Sequence, residues 1–302
     1  MLGPPLDKPN PALLRLGFSG ADRLAIIHAD DIGMCQASIS AYAKLIEAGS
    51  ISSAALMPPC SWFPAIASYC RAHPELDMGV HTTLTCEWDT YRWAPLSTRD
   101  PASGLMDGEG YFHRSTQEAQ RYAEPAAAQQ EIATQIERAR AAGISLTHID
   151  THMGAVMHRA LVRGYVDLAL HHHLVPMLPR VGESELRQRG ISAEDALHLA
   201  RWLAELESNG LPLIDHIAGM PLHDPRDQLD YAKRLFDALP PGITVFILHP
   251  AEDTPELRAI APDWPSRVAN FETFMHPEIL GHIRQVGIHV IGYRELQGLL
   301  PA

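Results

Sequence analysis

Eight short apolar runs recur along this chain, and a stretch of helical periodicity follows each of them. The runs fall at 24–28, 52–57, 77–82, 145–150, 174–178, 213–217, 243–248 and 287–291. Apolar runs of this length read as buried strands. The helical patterns cover 36–48, 62–72, 126–142, 157–172, 193–208, 226–238, 276–286 and 293–300. In the first of them Ile39, Tyr42 and Ile46 share a face, and Gly49 supplies the stop. Eight strand–helix units in 302 residues predict an α/β fold, a (β/α)-barrel that is TIM-like with room for distortion. The second choice is an open doubly wound sheet, but no GxGxxG motif follows the first strand.

Two long insertions interrupt the rhythm. Residues 84–125 carry Trp88, Tyr91, Trp93, Tyr111 and Phe112, and residues 250–275 carry Glu252, Asp253, Trp264 and Phe271. Loops this long are usually functional, and their aromatic content argues against disorder. No linker or repeat divides the chain, so residues 1–302 are expected to form one barrel domain.

Charge narrows the partners. With 36 acids against 24 bases the formal charge is −12, which argues against nucleic acid or an anionic membrane. The N-terminal stretch lacks the pattern of a signal peptide, and no apolar run is long enough to span a bilayer, so a cytoplasmic protein is expected. Cys35, Cys60, Cys70 and Cys86 show no CxxC spacing and read as reduced, buried thiols. Homo-oligomerisation is left open.

Chemistry concentrates at the C-terminal ends of the predicted strands. Asp30 and Asp31 follow the first, His81 ends the third, His148-Ile149-Asp150-Thr151-His152 closes the fourth, and His249 follows the seventh. Barrel enzymes build their sites on this face. Alternation along a strand puts His148, Asp150 and His152 on one side, about 6.6 Å apart per step. That is too wide for all three to share an ion, but it suits His152 as a ligand with Asp150 orienting a ring. Two histidines and one carboxylate make a mononuclear hydrolytic site, with the second aspartate free to take a proton from water.

The segments HADDIG, GVHTTLT and THIDTH, followed by a late strand ending in HP, resemble the YdjC-type carbohydrate deacetylases in the same order, from about residue 24 to about residue 296. The resemblance implies a (β/α)-barrel that removes acetyl groups from N-acetylated sugars with one divalent ion, Mg2+ or Zn2+. It implies Asp31, His81 and His152 as metal ligands and Asp30 as general base, and His249, where the family places a late histidine, is read as the general acid. Asp150, His148 and Arg294 are candidate supports, and Trp88 and Trp93 candidate platforms for a small carbohydrate substrate. Gly154 and Val156 stand where the family often carries further histidines, and Cys86-Glu87-Trp88 follows the LT of GVHTTLT. Two other readings use the same strand ends: a metal-dependent sugar isomerase or epimerase, and a carbohydrate-binding relative without turnover.

Other histidines carry less weight. His171, His172 and His173 point about 100° apart on a helix and read as a solvated helix end. His158 is expected to open the fourth helical unit, and Asp215-His216 to end the sixth strand at the site's edge.

Overall fold

The computed structural model describes residues 8–301. All eight strands form where the apolar runs lie: β1 (Arg23–Ile32), β2 (Ser53–Leu56), β3 (Met78–Thr82), β4 (Leu146–Thr151), β5 (Val175–Pro176), β6 (His216–Gly219), β7 (Gly242–Leu248) and β8 (Ile288–Val290). Every pairing is parallel, in the order β5-β4-β3-β2-β1-β7-β6. The sheet curls with helices outside it, an α/β barrel-like fold. One bridge, between Pro179 and Ile214, links the segments beside its two edge strands.

The departure from a regular barrel lies at β8. Arg23, Leu24 and Ala25 of β1 pair with β7 on one edge and with β8 on the other. So β8 shares the edge that β2 joins farther along, at His28, instead of separating β7 from β1.

The inner face of the sheet changes character along its length. Leu24 and Ile26 of β1, opposite Ile243 and Val245 of β7, join Val175, Met177, Ile214 and Tyr293 in one apolar cluster. A short helix at Pro11–Arg15, capped by Asn10, adds Ala12 and Leu13 to it. Two steps farther along the same face of β1 stand His28 and Asp30. Apolar burial below thus supports a polar layer at the C-terminal end of the strands.

Strand β1 runs past its apolar residues because of a bulge. His28 and Ala29 face Ser53 and Ala54 of β2, but Ile32 faces Leu56, so β1 carries one extra residue. Asp31 has φ +61° there, a left-handed conformation uncommon for a residue with a Cβ. In a regular strand Asp30 and Asp31 would point to opposite faces. The bulge turns both carboxylates to the same side.

Several expectations need correction. Residues 250–275 are not an open loop, since helices form at Pro255–Ile260 and Trp264–Met275. Further helices stand at Thr116–Tyr122 and Glu183–Gln188. The unit expected from 157 begins at Val162, because the chain first turns through left-handed Met153 and Gly154. His158 therefore lies in the preceding turn, where its carbonyl accepts from the amides of Leu161 and Val162. Asp215 precedes β6 instead of ending it. It accepts from Arg180 Nη1, Asn10 Nδ2 and the Ile243 amide, and His216 Nε2 contacts the Pro241 carbonyl; both residues belong to the opposite end of the sheet.

Candidate active site

Three side chains from three strand ends converge. Asp31 Oδ1 lies 3.3 Å from His81 Nε2 and 3.2 Å from His152 Nδ1, and those two nitrogens are 3.3 Å apart. Donors about 2.1 Å from one ion lie about 3.0 Å apart at octahedral angles and about 3.4 Å at tetrahedral ones. The observed triangle falls between, so its dimensions suit a single divalent ion.

Tautomers point the same way. His81 Nδ1 is 2.7 Å from Asp150 Oδ1, and a carboxylate only accepts, so the proton of a neutral ring sits on Nδ1 and the lone pair of Nε2 faces inward. His152 is reversed: Nε2 donates to Glu87 Oε2 at 3.0 Å and Nδ1 faces inward. Asp31 Oδ1 is buried and accepts no hydrogen bond. Three electron-rich atoms in contact need positive charge between them. Protons fill that role in the protein alone. Burial opposes charge on His152, but Glu87 and Asp31 push it up to about 9, and Asp150 and Asp30 likewise raise His81 well above the ordinary range.

The charges around the triangle are net negative. Asp30, Asp31, Asp150 and Glu87 bring four carboxylates to this region. Arg267, buried, donates from Nη1 to Asp31 Oδ2 at 2.7 Å. Burial opposes ionisation of Asp31, yet Arg267 and His152 hold it well below the usual carboxylate range. The second cation is His28. Ser53 gives its hydroxyl proton to Asp77, so its oxygen must accept from His28 Nδ1, while His28 Nε2 donates to Asp150 Oδ2 at 2.9 Å. Both ring nitrogens therefore carry hydrogen. Burial disfavours that charge, but Asp150 and Asp30 push the ring up to about 9. Two cations among these carboxylates leave the region net negative, which a divalent ion would offset. Asp263, as exposed as Glu87, accepts from Arg267 Nε and adds to the negative balance.

Asp30 and His249 flank the triangle. Asp30 Oδ2 stands 4.0 Å from His81 Nε2 and 3.7 Å from His249 Nε2, while Asp30 Oδ1 lies 3.1 Å from the His28 cation. Asn270 Oδ1 accepts from the His249 amide and fixes that backbone. Burial pushes the His249 imidazole below its ordinary value.

The other candidates take different places. His148 lies deeper, stacked on Tyr293 at 3.9 Å with Nδ1 on Thr147 Oγ1, and does not touch the triangle. Arg294 is a correction: its backbone amide binds Asp77 Oδ2 and its side chain binds the Leu76 carbonyl, at the start of β3. Trp88 and Trp93 are also corrections as platforms, being 4% exposed. Arg267 covers the Trp88 ring, and Trp93 packs edge-on to His152. Val156 is buried in the core, so its position offers no contact at the mouth. His171, His172 and His173 end a helix at the surface.

Sequence reasoning passed over His28, Glu87 and Arg267. His28 was within reach, since it sits two residues before Asp30 on one strand face. Glu87 and Arg267 lie in the insertions, where no periodicity marks them.

The sequence matches the YdjC-like protein family over residues 24–285, a span containing the whole cluster around Asp31. The chain belongs to the YdjC-like family. This YdjC-like chain is 34% identical over 267 residues to a carbohydrate deacetylase of Thermus thermophilus, covering 88% of the chain and 91% of that protein. A carbohydrate deacetylase of Thermoanaerobacter pseudethanolicus is 22% identical over 272 residues, 90% of this chain and 98% of that one. Among solved structures, a protein of Enterococcus faecalis proposed as a cellobiose-phosphate cleavage protein superposes with TM-score 0.75. That match covers 91% of the YdjC-like chain and 99% of the other at 22% identity, and it shows the fold.

Proposed function

We propose that this protein is a hydrolase that removes the acetyl group of an N-acetylated carbohydrate, using a divalent ion held by Asp31, His81 and His152. The observation that carries this reading is the triangle of inward lone pairs with Asp30 Oδ2 and His249 beside it. The carbohydrate deacetylases among its relatives support the reaction class.

When bound, a divalent ion supplies Lewis acidity, drawing charge onto the acyl oxygen and acidifying water. Arg267 keeps Asp31 ionised, and Asp150 and Glu87 keep the two rings in ligand tautomers. Asp30 takes the proton as water attacks the acyl carbon. His249 then protonates the amine nitrogen as the C–N bond breaks, so that acetate and a free amino sugar leave. Its depressed basicity makes it a ready proton donor once charged.

The test is acetate release from a panel of N-acetylated mono- and oligosaccharides with added divalent metals. Wild-type protein should release acetate, and Asp30→Asn should lower the rate about 10²–10⁴-fold. Wild-type protein that releases no acetate from any metal-loaded sample would count against deacetylation. The isomerase or binding reading would then stand.

A further inference from the structure

We propose that Glu87 is a positioning residue: its carboxylate holds the His152 ring with Nδ1 inward and supplies the negative charge that suits the centre to a divalent cation. The inference rests on the metal-centre reading above and concerns what tunes that centre in this chain.

The two rings are held differently. A neutral imidazole has one N–H, and the acceptor of that N–H decides which nitrogen faces the centre. For His81 the acceptor is Asp150, whose other oxygen already receives a hydrogen bond from the His28 cation. Glu87 pairs with His152 alone; among the described residues no lysine or arginine forms an ion pair with it. No other cation among the described residues offsets its charge, and water screens it only in part because the side chain is 23% exposed. Without it the centre loses one of the negative charges that favour a divalent cation.

The insertion is built to place this carboxylate. The Cys86 amide donates to the His113 carbonyl at 2.8 Å. Cys86 Sγ accepts from the Trp93 amide and from Arg92 Nε, and Arg92 Nη2 continues to Asp107 Oδ2 and the Phe112 carbonyl. Trp93 Nε1 closes the frame on the Thr85 carbonyl. Behind the insertion, buried Gln135 binds the backbone of Thr83, and buried Glu131 accepts from the amides of Leu96 and Ser97. Glu87 thus stands between two pinned neighbours, Cys86 and Trp88. The buried tryptophans serve this frame.

The experiment titrates Zn2+ calorimetrically into metal-stripped full-length protein, comparing wild type with Glu87→Ala and Glu87→Gln, and records 15N spectra of the His152 ring once zinc is bound. Glu87→Gln keeps the acceptor and the shape, so it carries the test if the alanine variant misfolds. Expected is Zn2+ binding about 10–100-fold weaker in Glu87→Ala, an intermediate value in Glu87→Gln, and loss of the single Nε2–H tautomer only in the alanine variant. A purely structural role would lower the melting temperature without moving the zinc affinity or the ring spectrum. Wild-type affinity in both variants would overturn the role of Glu87 and leave the centre standing. Failure of wild-type protein to bind Zn2+ would overturn the centre and this inference with it.

Discussion

Asp31 is shared between the Arg267 guanidinium on Oδ2 and two imidazoles on Oδ1, all buried. Removing one partner of a buried ion pair leaves the other charged and unsolvated. Arg267→Met should therefore destabilise the protein by about 3–5 kcal/mol, read from the urea midpoint. The ligand histidines predict a pH response of definite sign. His152 titrates near 9 in the folded chain and at about 6.5 when unfolded, and His81 is raised in the same direction. Folded protein stripped of metal therefore binds more protons than unfolded protein through this window. Stability from these rings is complete below about pH 6.5 and is lost as pH climbs through about 9. Melting temperature after chelation should fall over that interval. Metal-loaded protein should hold its value, because the ion replaces the protons, and calorimetry in buffers of different ionisation enthalpy should detect their release.

At the scale of elements, the bulge in β1 is the device that brings Asp30 and Asp31 to one side. Neither the apolar run nor the paired acids announces it, since a bulge depends on register against β2. The strands themselves were legible, because short apolar runs between helical stretches leave few other solutions. Helix starts were less so: the left-handed turn at Met153 and Gly154 delays the unit after β4 by five residues, from 157 to 162. Packing between β3 and β4 offers a sharp test. A Cβ at Gly79 would stand 2.3 Å from His148 Nε2. Gly79→Ala should cost about 1–3 kcal/mol in urea unfolding. Combining it with His148→Ala should cost less than the two losses added, because the clash disappears with the ring.

For the molecule as a whole, binding an ion at the triangle couples three strand ends, so metal should stabilise the entire fold. A divalent ion at 100 times its dissociation constant should add about 2.7 kcal/mol, seen as a rise in melting temperature that a chelator reverses. An unchanged melting temperature across metals would argue against the centre. Architecture, the strand ends that carry chemistry, and the family were readable from local pattern, because periodicity and motif order need only neighbours along the chain. The contacts that tune the cluster were not. Glu87 meets His152 across 65 residues, His28 meets Asp150 across 122, and Arg267 meets Asp31 across 236. Such pairs carry no signature in one sequence. Their charges and tautomers are set by burial and by partners that only the closed sheet and its folded insertions bring within hydrogen-bond distance.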